Sequence, residues 1–224
     1  MQPAYRLTIN GSILTRASLL LWMREFFRTS NVPHGYGLEF GVLNGESMAE
    51  IWRCLRDPLE FICGFDSFEG LPESRASADA VSDYAPSFVA GNYRSSGVGP
   101  VTEFLKGAGI PQNSFELIPG FFSESLAGFN LQPLLDKKCA GLFPLFVHID
   151  CDLYESAQPV FEFVFPLLQT GTWLLLDDYW CFRGSPKHGV RKAFDEWVRL
   201  NGRWGVSDYG NYGGYGKAFI VHEL

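Results

Sequence analysis

The chain has 224 residues, of which 46% are hydrophobic and 19% are charged, a balance typical of one large globular domain. A formal net charge of −7 argues against a protein that holds nucleic acid through its phosphates. No apolar run is long enough to span a membrane, and the first residues lack the basic-then-apolar pattern of a signal peptide.

Cysteine usage indicates the compartment. The five cysteines are odd in number, irregularly spaced and form no C-x-x-C pair: Cys54, Cys63, Cys139, Cys151 and Cys181. This usage is typical of a reducing environment, so we predict a cytoplasmic protein. Cys151 stands between two aspartates, and because an anionic surrounding raises the pKa of a thiol, we expect a core residue rather than a nucleophile.

Residues 1–35 are predicted to form an N-terminal helical segment. Thr15 or Ser18 is a suitable helix cap, and apolar residues from Leu19 to Phe27 recur on one side of the helix. This helix could cover a sheet, close over a site as a lid, or form a contact in a homo-oligomer. The pattern does not choose among these roles.

The first strand is predicted at residues 36–42, and it enters a turn with the spacing G-x-x-x-G at Gly41 and Gly45. A glycine turn between a strand and a helix N-terminus is a typical cradle for a nucleotide-like cofactor. The G-x-G-x-x-G pattern of dinucleotide sites is missing here, which disfavours NAD and FAD. Glu39 repels phosphate but is a good acceptor for a cationic amino group of a cofactor.

A second strand, residues 61–65, ends on Asp66. An acidic residue at this place, about 20 residues beyond a glycine turn, is suited to accept both ribose hydroxyls of a cofactor. The alternative is that Asp66 only forms the turn. Phe68 either flanks the adenine or packs in the core.

The segment 69–99 is predicted to be an insertion loop, and a loop of this length in a compact domain is often a functional one such as a lid. A helix at 100–107 and a third strand at 115–118 follow. Residues 119–126 leave that strand and are predicted to border the base of the cofactor.

Two apolar strands, residues 145–149 and 172–176, enclose an amphipathic helix, and this βαβ unit makes the strands parallel neighbours. Asp150, Asp152, Asp177 and Asp178 then lie at adjoining strand ends, where they repel one another unless a cation binds. Oxygen ligands favour Mg²⁺, with Mn²⁺ or Ca²⁺ also suitable. The alternative is that Asp177 and Asp178 only cap a turn.

The C-terminal part is predicted to contain a loop at 180–187, a helix that begins at His188, and a last strand at 217–222. Tyrosines alternate with glycines at 208–216. This segment could wall a substrate pocket, but a flexible hairpin loop is the favoured interpretation.

Six motifs together resemble the macrocin O-methyltransferase (TylF/MycF/NovP-like) family: LEFGV at 38–42, G-x-S at 45–47, GFDSFEGLPE at 64–73, PGFF at 119–122, HIDCDLYES at 148–156 and DDY at 177–179. The family consists of metal-dependent sugar O-methyltransferases of antibiotic pathways that use S-adenosylmethionine. The resemblance implies an α/β fold, the Rossmann-like class I methyltransferase fold, with a doubly wound, mostly parallel seven-stranded sheet and helices on both faces.

The resemblance also implies roles for single residues. Asp150, Asp177 and Asp178 match the metal ligands of the family, and Asp152 matches its proposed general base. The cofactor-binding turns are matched by Glu39, Gly41, Gly45, Ser47 and Asp66. The predicted cofactor site is completed by Ser67, Phe68, Gly120, Phe122, Ser123 and Asp150.

We therefore predict that residues 1–224 form a single methyltransferase domain acting on a hydroxyl of a small molecule, a sugar or another diol. A metal lowers the pKa of a hydroxyl, and Asp152 takes its proton. His148 is a competing base, although a buried, hydrogen-bonded histidine is the favoured interpretation. The alternatives are a metal-dependent hydrolase or phosphoryl-transfer enzyme, a nicotinamide-dependent oxidoreductase, and a non-catalytic domain that binds a cofactor or partner.

Overall fold

The computed structural model describes residues 15–74, 79 and 86–224. The strands are β1 (Gly35–Phe40), β2 (Leu59–Asp66), β3 (Phe115–Pro119), β4 (Phe143–Ile149), β5 (Trp173–Leu176), β6 (Trp204–Tyr212) and β7 (Gly216–Glu223). They form one seven-stranded sheet in the order β3-β2-β1-β4-β5-β7-β6.

Strands β1 to β5 pair in parallel, whereas β7 runs antiparallel to both β5 and β6. Every residue of β1 and β5 is buried, because both faces of the sheet centre are covered by helices. The strand order reverses between β1 and β4, which opens a crevice at their carboxyl ends. The predicted Rossmann-like methyltransferase fold is confirmed.

The α-helices are α1 (Arg16–Thr29), α2 (Glu46–Leu55), α3 (Val98–Gly107), α4 (Phe122–Ser125), α5 (Gln132–Cys139), α6 (Tyr154–Val164) and α7 (Gly189–Leu200). Short 3₁₀ turns cover Phe165–Leu167 and Phe182–Gly184. One core cluster joins α1, α2 and α3 to one face of the sheet, and a second joins α6 and α7 to the other face.

Helix α1 covers the sheet, which is one of the three roles that the sequence left open. The hydroxyl of Thr15 caps it by accepting a hydrogen bond from the Ser18 amide at 3.1 Å. Its buried side packs on the sheet, where the Phe26 ring meets the Trp173 ring edge-on at 5.4 Å between centroids. Residues 1–14 of the predicted helical segment lie outside the described residues.

The flexible-loop prediction for 208–216 is wrong over most of its length. Residues 208–212 belong to β6, and only the segment 213–215 forms the turn of the β6–β7 hairpin. A register shift between Asp208 and Gly210 breaks the period-two alternation, so the strand was not recognisable from apolar spacing. Tyr212 is buried, and Tyr209 packs against Trp173 at 4.2 Å between ring centroids.

Helix α5 was not predicted. Of the predicted insertion loop, residues 75–78 and 80–85 lie outside the described residues, so the lid prediction is untested there. Within the described part of the chain, no helix is both long enough and apolar enough to cross a membrane.

Candidate active site

A cleft of about 1060 Å³ lies at the carboxyl ends of the parallel strands, at the switch point between β1 and β4. Its volume is at the upper end of the range for small-molecule sites, so it can hold a nucleotide-like cofactor together with an acceptor. Predicted site residues that line it are Gly41, Ser47, Asp66, Ser67, Phe122, Ser123, Asp150, Asp152 and Asp178.

Gly41 sets the contact between β1 and β4. Its φ is +97°, and a Cβ atom there would lie 1.7 Å from the Asp150 carbonyl oxygen. The Gly41 amide donates to the Phe65 carbonyl at 2.9 Å, and the Asp150 amide donates to the Phe40 carbonyl at 2.8 Å. A side chain at Gly41 would therefore displace Asp150, which makes this glycine a structural requirement of the cleft floor.

Asp66 is fixed by three backbone amides. One carboxylate oxygen accepts from Val42 and Leu43, both at 2.8 Å, and the other accepts from Phe68 at 2.6 Å. Asp66 thus forms the turn, as one interpretation held, and it also lines the cleft. Each carboxylate oxygen has two acceptor sites, so the three amides leave one site, on Oδ1, for a ribose hydroxyl, and not one for each of the two hydroxyls.

Four predicted cofactor residues do not line the cleft. Gly45 is the N-cap residue of α2, with a φ of +89°. Gly120 lies in the turn after β3, and its amide donates to the Asp66 carbonyl at 2.9 Å. Phe68 packs in the core, which was one of its two interpretations. Glu39, the fourth, lies below the cleft floor.

Glu39 and His148 are register partners on β1 and β4, and both side chains are completely buried. His148 Nδ1 lies 3.0 Å from Glu39 Oε1, and its Nε2 lies 3.6 Å from Asp177 Oδ1. The structure therefore does not place Glu39 where it could accept an amino group of a ligand. His148 does not line the cleft, so it cannot take a proton from the hydroxyl of a methyl acceptor bound there. It is the buried, hydrogen-bonded histidine of the favoured interpretation.

A candidate metal centre includes His148 and two of the aspartates. Ligand atoms of His148, Asp150 and Asp177 lie within 4.8 Å of one another. Asp178 stands apart from this group, since its carboxylate accepts from the Asp152 amide at 3.2 Å and from the Cys181 thiol at 3.4 Å. Two of the three predicted ligands are thus brought together, and the histidine was not predicted as a member.

The electrostatics of the aspartates fit a bound cation. Burial and the neighbouring carboxylates raise the pKa of Asp150 and of Asp178 well above the usual value, and they raise that of Asp152 to about 8. Asp177 is also buried, but the His148 imidazole 3.6 Å away and the charge of Arg16 outweigh burial and lower its pKa. Burial opposes protonation of His148, yet Asp177 and Glu39 raise its pKa to about 10.

Among the described residues, three buried polar atoms close to Asp150 or Asp177 have no hydrogen-bond partner: Glu39 Oε2, His148 Nε2 and the Tyr212 hydroxyl. Orphaned atoms beside converging carboxylates indicate a place for a ligand. The carboxylate oxygens of Asp150 and Asp177 suit Mg²⁺ and Mn²⁺, which both prefer oxygen ligands.

Asp152 adopts a strained conformation at the mouth of the centre. Its φ is +62°, in the left-handed region that residues other than glycine rarely adopt. Asp152 lines the cleft, as do Asp150 and Asp178. Strain of this kind persists only where the surrounding structure holds it, and here the Asp152 amide donates to the Asp178 carboxylate at 3.2 Å.

Sequence reasoning missed the aromatic end of the cleft. Phe88, Trp180 and Phe182 line it, together with Tyr215 from the hairpin turn, so the pocket-wall interpretation of the tyrosine-glycine segment holds for that residue. The Phe88 and Phe182 rings lie 5.5 Å apart. Trp180 is fixed by a 2.9 Å hydrogen bond from its Nε1 to Asn211. Scattered aromatic residues carry no spacing signal that could have identified this wall.

The comparisons with known proteins agree with this geometry. Residues 38–179 match a family described as a methyltransferase domain. The chain is 27% identical over 198 residues to 8-demethyl-8-(2,3-dimethoxy-alpha-L-rhamnosyl)-tetracenomycin-C 4'-O-methyltransferase of Streptomyces olivaceus, an alignment that covers 87% of this chain and 68% of the relative.

Two solved structures share the fold. The O-methyltransferase NovP superposes with a TM-score of 0.66 at 19% identity, covering 92% of this chain and 78% of the other. The calicheamicin methyltransferase CalS11 gives a TM-score of 0.63 at 21% identity, covering 92% and 80%. The resemblance to the macrocin-type O-methyltransferases that the motifs predicted is confirmed, and the match over residues 38–179 means that the chain belongs to the methyltransferase domain family.

Proposed function

We propose that the protein is an S-adenosylmethionine- and divalent-metal-dependent O-methyltransferase that acts on a hydroxyl of a small diol-bearing molecule such as a sugar. The observation that carries the proposal is the meeting, in one cleft, of the Asp66 turn with Asp150, Asp152 and Asp178. The tetracenomycin relative, whose name states methylation of a rhamnosyl sugar, supports a sugar hydroxyl as acceptor.

For the cofactor, Asp66 is suited to accept a ribose hydroxyl because it lines the cleft, its position is fixed by three amides and one acceptor site remains on its Oδ1. Phe122 and Ser123 line the same cleft beyond β3, as expected for residues that border the base. The cofactor would then extend from β2 across β1 towards Asp150, and its sulfonium supplies an electrophilic methyl group.

A divalent cation at the Asp150–Asp177 centre would stabilise negative charge that develops on the acceptor oxygen. Asp150 and Asp177 would hold it. Asp178, the third ligand that the family resemblance implies, would have to turn from the Asp152 amide and the Cys181 thiol towards the cation. Asp152 accepts the hydroxyl proton as that oxygen takes the methyl group, and S-adenosylhomocysteine leaves. The aromatic wall excludes water from this end of the cleft and packs against the acceptor.

The alternatives have weaker support. A phosphoryl-transfer enzyme needs cations for phosphate, yet the described cleft residues include seven carboxylates and two guanidinium groups. The carboxylates are Glu46, Asp66, Glu73, Asp150, Asp152, Glu155 and Asp178, and the cations are Arg16 and Arg183. A non-catalytic domain gains nothing from the strained Asp152.

The test is transfer of a labelled methyl group from S-adenosylmethionine to aryl α-L-rhamnosides, which combine vicinal hydroxyls with an apolar group. We expect a methyl ether to form in the presence of Mg²⁺, and we expect no methyl ether to form once the metal has been removed by a chelator. Transfer that is insensitive to chelation would contradict the metal role. Hydrolysis of phosphate esters without methyl transfer would favour the phosphoryl-transfer alternative.

A further inference from the structure

The methionine end of S-adenosylmethionine carries a carboxylate, and a cleft this rich in acidic side chains repels it. Binding therefore requires a cation near the place where the amino-acid part lies. Among the described residues that line the cleft, the two cations are Arg16 and Arg183. Arg16 and Arg183 lie at different places in the cleft, and only one of them is suited to bind the carboxylate of the cofactor.

Arg183 belongs to the aromatic end. It lies in the turn Phe182–Gly184, and Phe182 contacts Phe88 across the cleft. Arg16 belongs to the opposite side, where its Nη1 lies 3.9 Å from Asp177 Oδ1 and its charge acts on Asp150. Arg16 is thus the cation beside Asp150 and Asp177, at the ends of β4 and β5, and a cofactor anchored on Asp66 would extend its amino-acid part towards this side.

The guanidinium of Arg16 has donors to spare. Its Nε donates to Glu50 Oε2 at 2.8 Å, and this is its one hydrogen bond to the described residues. The contact with Asp177 is an ion pair beyond hydrogen-bond length. Since a guanidinium has five N–H groups, its terminal nitrogens keep the geometry that a carboxylate accepts in two parallel bonds.

Arg16 is also held in place before any ligand arrives. Helix α1 starts at this residue behind the Thr15 cap, and the next turn is anchored by the buried side chains of Leu19 and Leu20. Glu50 on α2 orients the side chain from the other direction. A side chain fixed by a helix and an ion pair loses little conformational entropy on binding.

We propose that Arg16 binds the carboxylate of the methionine part of the cofactor, which makes helix α1 a part of the cofactor site rather than only a cover for the sheet. This inference rests on the proposed function, because it requires that the cleft take S-adenosylmethionine. It assigns a binding role to a residue outside the motifs and outside residues 38–179 of the family match.

The test is isothermal titration with two ligands that differ only in the carboxylate. S-adenosylhomocysteine carries it, and S-adenosyl-3-thiopropylamine, the decarboxylated analogue, keeps the nucleoside, the sulfur and the amino group. Wild type should bind the first ligand about 10- to 100-fold more tightly, the range expected for a charge-assisted hydrogen bond. Arg16→Gln should remove that preference and leave affinity for the analogue within about threefold.

Arg24→Gln is the matched control, because Arg24 lies on the same helix and pairs with Asp57 away from the cleft, at 3.7 Å. It should bind both ligands like wild type. Arg16→Lys keeps the positive charge but not the paired N–H donors of the guanidinium, so it should retain part of the preference for the ligand with the carboxylate. This variant also provides a test if Arg16→Gln does not fold.

The outcomes separate the two claims. Equal weakening of both ligands by Arg16→Gln would mean that Arg16 only supports Glu50 and Asp177, and that result overturns the inference alone. Unchanged affinities would do the same. Absence of S-adenosylhomocysteine binding to wild type would overturn the proposed function and this inference with it.

Discussion

Replacing Gly41 with alanine tests the geometry on which the cleft depends. An alanine at a φ of +97° costs about 1–2 kcal/mol through backbone strain. Its Cβ would also meet the Asp150 carbonyl oxygen at 1.7 Å, so β1 and β4 must separate. The separation weakens the bond from the Asp150 amide to the Phe40 carbonyl, and the displacement of residue 41 weakens the bond from its amide to the Phe65 carbonyl on β2. Each bond contributes about 1 kcal/mol. We expect a total loss of about 3–4 kcal/mol in the free energy of unfolding.

Gly109→Ala is the matched control. Its φ is +88°, nearly the same, but nothing lies within 4 Å of the added Cβ. The control should lose only the strain of about 1–2 kcal/mol, so the variants should differ by about 2 kcal/mol, or roughly 4–8 °C in Tm. Urea and thermal unfolding measure this difference, and titration with S-adenosylhomocysteine should show weaker binding for Gly41→Ala only. Equal unfolding of the two variants would refute the argument that the close approach of Asp150 requires a glycine.

Further predictions concern catalysis, the metal and the core. Asp152→Asn should lower kcat of methyl transfer about 10²- to 10⁴-fold without weakening S-adenosylhomocysteine binding. Glu155→Gln, in the same cleft, is the control and should change kcat less than about threefold. Equal losses of kcat in the two variants would contradict the role of Asp152 as the general base. Chelation of divalent metal should lower transfer at least about 100-fold, with recovery on adding Mg²⁺ or Mn²⁺, and unchanged rates would contradict a metal centre. Phe146→Ala should lower the free energy of unfolding by about 3–5 kcal/mol, because this β4 ring is fully buried in the core on one face of the sheet. Phe104→Ala, at an exposed side chain of α3, should cost about 1 kcal/mol or less in the same urea titration.

The centre of the sheet could be predicted because its signals are local. Strands at 145–149 and 172–176 are apolar at nearly every position, and the helix between them has a clear amphipathic period, so the βαβ unit and the meeting of its aspartates followed. Strand β6 could not be predicted in the same way. Its bulge at Asp208–Gly210 and its glycines remove the period-two pattern, and its order comes from pairing with β7 and from Tyr209 and Tyr212 packing beside Trp173.

Residue types in the site were easier to predict than side-chain directions. Asp66, Asp150, Asp152 and Asp178 line the cleft as expected. Glu39 was expected to face a ligand, but register pairing across β1 and β4 sets it against His148 below the floor, and a single sequence does not carry that register.

The role proposed for Arg16 could not be predicted from the sequence at all. Nothing in its surroundings along the chain distinguishes it from any arginine that flanks an apolar helix. Only the packing of α1 on the sheet brings it to Glu50 and Asp177, residues that are 34 and 161 positions away along the chain. Long-range contacts of this kind are fixed by tertiary structure and leave no periodic trace in the sequence.

The most direct measurement of the central claim is isothermal titration of the wild-type protein with S-adenosylhomocysteine, in Mg²⁺ and after chelation, beside an Asp66→Ala variant whose folding is verified by circular dichroism. We predict one site with a Kd on the order of micromolar and a loss of at least about tenfold in Asp66→Ala, because the ribose loses its acceptor. Absence of binding to wild type under both conditions would contradict the assignment of this cleft to S-adenosylmethionine.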